Sequence, residues 1–370
     1  MKTALAFLEA HRPAGYACGF ARLRWHRAFS LRETIELTPG QSAAEAFREA
    51  DAWVVVLAEA ALPLGAGALP APAPGTVLAA AGAPARALAV HTLRELEAAP
   101  PPSAAGVAGD PSPCPALAFR TADFPPRPGE SVSGFLERLL GPSTDVRTDP
   151  QFAAVCFDDP SDRERPEIGR HIPASARRLL DVGCGSGGTA AAARGRGEGL
   201  MAVGIEPDPA AAARARGRLD RVLEASASTG LAVLGSEGER FDAFLFADVL
   251  EHLEDPAGAL SLARALAHPG ATLVASVPNV GHLSLARDLL LGRFDPVPAG
   301  LADAGHLRWF TRRSLAATVE EAGWRVSLIE AVPGAPAPEE EPFLAWARRW
   351  PSADPHALRT YQWIAVAVAD

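Results

Sequence analysis

One stretch limits the architecture more than any other: RRLLDVGCGSGGTAAAAR, residues 177–194. A short apolar run carries Asp181 near its end, four glycines fall within Gly183–Gly188, and an alanine-rich segment follows. Glycine reaches backbone conformations closed to other residues, and alanine is the best helix former. The stretch therefore predicts a strand, a tight turn and a helix, the unit that opens a parallel sheet. Downstream, LMAVGIEPD, FDAFLFADVL, ATLVASVPN, WRVSLIE and QWIAVAVA read as strands. RPEIGRHI, AAAARARGRL, DPAGALSLARALA and RRSLAATVEEAG read as helices. Pro269-Gly270 stops the third of these, and the fourth has Thr311 as its cap and Gly323 just past its end. Strands alternating with helices imply a mostly parallel sheet covered on both faces. FLAWARRW separates the last two strands, and either a crossover or an antiparallel edge hairpin fits.

The glycine pattern allows two ligands. Gly183, Gly185 and Gly188 fit the dinucleotide pattern G-x-G-x-x-G; Asp181, Gly183, Gly185 and Gly187 fit D-x-G-x-G-x-G, the pattern for S-adenosylmethionine. Glu206, at the end of the next strand, would accept ribose hydroxyls in either case. Asp181 discriminates. A dinucleotide places its pyrophosphate over the following helix N-terminus, where a carboxylate would repel it. S-adenosylmethionine carries no phosphate, and its amino and sulfonium groups are positive. An aspartate that merely caps the turn is the bland alternative.

The rest of the composition narrows the classes. A formal net charge of −9 disfavours broad binding to nucleic acid or to anionic membrane. The four cysteines, Cys18, Cys114, Cys156 and Cys184, form neither a C-x-x-C pair nor a zinc-type cluster, which suits a reducing cytoplasm. MKTALAFLEAHRP is too short and too interrupted for a signal peptide, and no apolar run approaches the ~20 residues of a membrane span.

Residues 1–125 read as a smaller α/β domain. TALAF, AWVVVLA, TVLAA and LAVHTL are strand candidates, and SAAEAFREA is a helix with Ser42 placed to cap it. The Pro- and Gly-rich run from Ala99 to Pro115 reads as a loop or linker. Residues 126–160, which include the helical pattern ESVSGFLERLLG ending at Gly141, are expected to connect this domain to residues 161–370.

LLDVGCGSGG, VGIEPDP and FDAFLFADVLEHLEDP, in this order and spacing, resemble a class I S-adenosylmethionine-dependent methyltransferase. PNVGHLSLARDLLLGRF and GHLRWFTRRSLAATVEEAGW resemble a bacterial subgroup related to quinone-biosynthesis O-methyltransferases and cell-surface polysaccharide methyltransferases. The resemblance covers roughly residues 150–370. It implies a Rossmann-like seven-stranded sheet with an antiparallel last strand. It also implies a cofactor site: Asp181, Gly183, Cys184, Gly185 and Gly187 at the amino-acid end, Glu206 on the ribose, and Pro207 and Asp208 beside the adenine. Ala247 and Asp248 would lie next to the cofactor. Many relatives carry an acidic residue for the adenine amino group where Ser226 stands here, so that contact would lack charge. In the first domain, FREADAWVVVLAEAALPLGAGAL resembles the centre of a family 2 glycosyltransferase. The Asp-x-Asp pair of that family is replaced by Ala58-Glu59-Ala60, which implies a non-catalytic relative.

Transfer to a hydroxyl profits from a general base, and histidine is the commonest. His252 at the strand exit is the first candidate, with His306 and His282 in reserve. Trp309 and Phe310 would wall the acceptor pocket or join the core. Asp248, Glu251 and His252 repeat an acidic-x-x-Glu-His group that binds a divalent metal in some quinone-pathway relatives; the metal-free reading is preferred. The expected acceptor is a sugar or surface-glycan intermediate. The alternatives are a phenolic, quinone or natural-product molecule, or a non-catalytic binding protein that keeps the fold.

Overall fold

The structure is a computed structural model that describes residues 3–8, 34–37, 41–48, 52–56, 62–64, 76–84, 116–120, 122–139, 145–156, 164–195, 199–297, 300–334 and 340–370. The chain divides into two compact units, Met1–Asp158 with Phe294–Gly305, and Asp159–Arg293 with His306–Asp370.

In the first unit, seven strands form one sheet: β1 (Thr3–Leu8), β2 (Thr34–Leu37), β3 (Ala52–Val56), β4 (Leu62–Leu64), β5 (Thr76–Pro84), β6 (Ala116–Arg120) and β7 (Asp145–Cys156). Their order is β2-β1-β3-β6-β5-β7-β4. The sheet is mixed, because β6 runs antiparallel to both β3 and β5. Helices α1 (Ala43–Ala46) and α2 (Val132–Leu139) pack on one another, and Phe47, Phe119 and Phe135 meet with centroids 4.9–5.5 Å apart. Ser42 holds the N-cap position of α1, but its side chain makes no capping bond. Segment 126–160, expected as a connection, contains α2 and β7, both within the first unit. The sequence hid β7 because Pro150 interrupts it; the register with β5 jumps from Asp149 to Ala153, which leaves the proline in a bulge where it forfeits no ladder bond. LAVHTL, the Ala99–Pro115 run and Ala58–Ala60 lie outside the described residues.

The second unit is built on seven strands; the inner ones bury their apolar runs on both faces, and the two edge strands, first and last in the order below, are partly exposed. They are β8 (Arg178–Val182), β9 (Met201–Glu206), β10 (Arg221–Glu224), β11 (Phe241–Ala247), β12 (Ala267–Pro278), β13 (Arg325–Pro333) and β14 (Thr360–Val368). The order is β10-β9-β8-β11-β12-β14-β13. Adjacent strands from β10 to β12 are parallel, and β14 is antiparallel to both its neighbours. The last strand is thus not at an edge; it lies between β12 and β13.

Side chains alternate across the sheet. Leu180, Val182, Val203, Ile205, Phe244 and Phe246 face one layer, which includes α6 (Ala227–Ser236), α7 (Pro256–Ala265) and α9 (Arg312–Glu321). Trp324 seals that layer, its indole N–H donating to the Leu260 carbonyl at 3.0 Å. Leu179, Ala202, Ala243 and Leu245 face the other, with α3 (Pro166–Gly169), α4 (Gly188–Arg194) and α5 (Pro209–Ala215). The remaining helices are α8 (Leu283–Leu290), α10 (Glu340–Ala347) and α11 (Pro355–Arg359). Thr311 caps α9 in a reciprocal box with Ser314, and Gly323 follows at φ 82°. Sequence periodicity does not reveal β10 or α6. The strand is four residues long with charged ends, and the helix contains Gly230, forced by a β9 so close that a Cβ would lie 2.6 Å from Ile205 Cγ2.

Candidate active site

The strands from β8 to β12 deliver their carboxyl ends to one side of the sheet, where open α/β folds bind ligands. On the β8–β9 side, the Gly183 and Cys184 N–H groups both donate to the Ile205 carbonyl, at 2.8 and 3.1 Å. The loop is thereby pinned to the neighbouring strand. Gly183, Gly185 and Gly187 have φ of 71°, 53° and 81°, values that L side chains rarely adopt. A Cβ on Gly183 would also lie 2.4 Å from Val249 Cγ2, and one on Gly187 2.9 Å from Leu219 Cγ. Close packing against the protein itself therefore demands these two glycines, before any ligand is considered.

Glu206 is buried and organises the turn. One carboxylate oxygen accepts the Gly185 N–H at 2.8 Å, and the other accepts the Asp208 N–H at 2.9 Å. Asp208 caps α5 through the Ala211 N–H at 2.7 Å, and Pro207 is exposed beside it. Asp181 is 2% exposed. Its burial, together with the charge of Glu206, pushes its pKa up to about 8. Two buried carboxylates at one loop favour a ligand that brings positive charge, which is what the ammonium and sulfonium of S-adenosylmethionine supply. The residues present fit that cofactor. Cys184 points its side chain into the core against the α4 layer, and burial with nearby Asp181 pushes its thiol pKa upward. Ser226 is the N-cap of α6, its hydroxyl accepting the Thr229 N–H at 3.2 Å.

On the β11–β12 side, Ala247 is half-buried and Asp248 follows in the left-handed region, at φ 58°. Asp248 is the sole described non-glycine residue with such a φ. Its carboxylate accepts from the Ser276 hydroxyl at 2.8 Å, from the Gln362 amide and from the Arg165 guanidinium. A 3₁₀ turn, Leu250–His252, comes next. The Glu251 carbonyl accepts the Leu307 and Arg308 N–H groups at 2.8 and 3.0 Å, which brings the His306 segment against this turn. His252 and His306 stack edge to face with centroids 5.0 Å apart, and Trp309 lies 5.4 Å from His306. His252 is exposed, and Glu251 beneath it is buried.

Several expected placements change. Glu251, His252 and His306 can bring ligand atoms within 4.8 Å of one another, whereas Asp248 lies outside that group. The Asp248 carboxylate is engaged by Arg165, Gln362 and Ser276. His282 is 2% exposed and caps α8, its Nδ1 accepting the Ser284 N–H at 3.3 Å. Phe310 belongs to the core, while Trp309 is half-buried. Arg165, Ser276 and Gln362 escaped sequence reasoning. They are far apart in the chain and fall in no motif, so no sequence signal marks them.

Residues 148–328 match the family model of a methyltransferase domain. No curated protein matches the chain. Among solved structures, the chain resembles a SAM-dependent methyltransferase from Archaeoglobus fulgidus at 20% identity, over 53% of this chain and 87% of that one, with a TM-score of 0.39. The N-methyltransferase NodS from Bradyrhizobium japonicum WM9, solved with S-adenosyl-L-homocysteine, shares 18% identity over 57% and 89% of the two chains, TM-score 0.38. An O-methyltransferase family protein from Burkholderia thailandensis shares 15% identity over 55% of each chain, TM-score 0.38. Residues 148–328 therefore carry a methyltransferase domain, and the residues at the glycine loop fit S-adenosylmethionine as its cofactor. No helix among the described residues is long and apolar enough to cross a membrane.

Proposed function

We propose that the domain methylates an oxygen of a sugar or surface-glycan intermediate, with His252 as general base. The observation that carries the reading is the pairing of an acidic glycine loop with an exposed histidine at the exit of β11. When bound, the cofactor supplies a methyl group on a positively charged sulfur. Asp181 would face its positively charged end, and Glu206 would accept its ribose hydroxyls. His252, exposed and backed by His306, takes the proton of the acceptor hydroxyl as the oxygen becomes a nucleophile. Positioning acceptor and methyl in line, away from water, contributes the rest. The sugar preference rests on the resemblance of residues 278–294 and 305–324 to polysaccharide-modifying relatives. Trp309 beside His306 favours a second reading, a phenolic or quinone acceptor that stacks on the indole.

For the first unit, the reading is a non-catalytic α/β domain that binds glycan or supports the fold. The test of the main reading is calorimetry with S-adenosylmethionine, S-adenosylhomocysteine and NAD, followed by a mass-spectrometric screen for a gain of one methyl group over saccharide, phenol and quinone acceptors. Binding of the first two ligands and methylation of a saccharide are expected. Binding of NAD alone would overturn the cofactor reading; methylation confined to phenols would replace the acceptor.

A further inference from the structure

Arg165 stands immediately before α3 and reaches both sides of the site. Its backbone N–H donates to the Thr189 hydroxyl at 3.1 Å, on the helix that begins at the glycine loop. Its guanidinium donates to Glu167 at 2.5 Å, to Gln362 Oε1 at 2.6 Å and to the Asp248 carboxylate. Gln362 in turn donates to Asp248, and the Asp248 N–H donates to Ser276 Oγ at 3.1 Å. One ionic knot therefore joins the ends of β11, β12 and β14 to the segment that precedes β8. At its centre is a residue held at φ 58°, a conformation that a non-glycine keeps only where its surroundings enforce it. Only three residues separate that position from His252.

We infer that Arg165 is a positioning residue: through Asp248 it fixes the turn that carries His252, and through Thr189 it couples that turn to the cofactor loop. The fork geometry matters as well as the charge. A guanidinium can bond Glu167, Asp248 and Gln362 at once in one plane, whereas an ammonium is a point donor on a flexible stem. The inference rests on the proposed role of His252, but its test does not need the acceptor.

The test uses protein labelled with ¹⁵N-histidine, with imidazole signals assigned by His252→Gln and His306→Gln, together with calorimetry using S-adenosylhomocysteine. Arg165→Met, Asp248→Asn and Arg165→Lys should each displace the His252 signal beyond its line width. In the two Arg165 variants, affinity for S-adenosylhomocysteine should stay within about threefold, less than half a tenfold step on the free-energy scale. The double variant Arg165→Met/Asp248→Asn should displace the signal no further than the larger single variant, as expected for two members of one network. Asp248→Gly, which tolerates the backbone conformation, should still displace it, because the carboxylate ties are lost. If Arg165→Met fails to fold by near-ultraviolet circular dichroism, Gln362→Leu is read in its place. An unmoved His252 signal overturns the inference, and so does rescue by lysine or additivity in the double variant. A tenfold or greater loss of affinity would make Arg165 a cofactor ligand instead. If wild-type protein binds no S-adenosylhomocysteine, the proposed function fails while the histidine signals still report on the coupling.

Discussion

The two sides of the site are built in opposite ways. The cofactor side, from Asp181 to Asp208, comes from one stretch of chain: a strand end, the glycine loop, α4 and the next strand, with loop N–H groups tied to a backbone carbonyl and to Glu206. The acceptor side draws Arg165, Asp248, His252, Ser276, His306 and Gln362 from across the unit and ties the cluster largely through side chains. A ligand common to a whole fold family can be held by geometry that any strand–loop–helix unit supplies. An acceptor specific to one enzyme needs side chains that only the complete tertiary structure brings together. Substitutions on the two sides should therefore fail differently.

The largest effect is expected on the acceptor side. His252→Ala should lower the turnover rate by roughly 10²–10⁴-fold, the usual yield of a general base, while leaving S-adenosylhomocysteine affinity unchanged. Steady-state kinetics on the acceptor found by the screen, beside calorimetry, separates the two quantities. Loss of affinity with turnover preserved would reverse the assignment of the sides. Equal damage from Glu251→Ala and abolition of activity by a chelator would point to a metal at Glu251, His252 and His306 instead.

On the cofactor side, Glu206→Ala should weaken binding by about 1–3 kcal/mol, the cost of deleting a charged hydrogen-bond partner. The Gly185 and Asp208 N–H groups lose their acceptor in this variant, so the loop loosens as well. Turnover at saturating cofactor should fall much less than affinity. Unchanged affinity in a folded variant would place the cofactor elsewhere.

The smallest effect separates the sides by pH. The Asp181 carboxyl of the free protein titrates at about 8 rather than 3.8 because it is buried beside Glu206. A cationic ligand lowers that value, so binding below about pH 8 releases a proton. Affinity should rise by less than about tenfold from pH 7 to pH 8 and level off above it. The sign for stability is opposite: a carboxyl raised in the folded state contributes stability below pH 3.8 that is lost as pH rises to about 8. Calorimetry in buffers of different ionisation enthalpy counts the proton. Asp181→Asn should abolish the release, and release that survives that substitution would assign it to another group.

What was legible in the sequence follows the same division. Asp181, the glycines and Glu206 are close in the chain, and their spacing reports strand ends and tight turns directly. The tight turn read from the glycines is joined by a second reason that only the structure supplies, the close packing of Gly183 on Val249 and of Gly187 on Leu219. His252 was visible at a strand exit, and His306 becomes its neighbour only because the Glu251 carbonyl captures the Leu307 and Arg308 N–H groups. No periodicity encodes that capture. Likewise, His282 looked available until the structure showed it buried as a helix cap. Strand β7 and helix α6 were missed because tertiary contact, a bulge at Pro150 and a close approach at Gly230, overrides their poor local propensity.

The position of β14 has a consequence in time. Thr360–Val368 is bonded on both flanks, to β12 and to β13, which do not pair with each other. A ribosome delivers residues at about 5–20 per second, so β12 waits seconds for its inner neighbour after it has been synthesised. During that wait its edge is a bare row of donors and acceptors, the kind of template on which chains aggregate. Gln362 arrives with the late strand and brings its ties to Arg165 and Asp248. A nascent chain can therefore shape the glycine loop early, but it acquires the complete turn bearing His252 only after the insertion of β14.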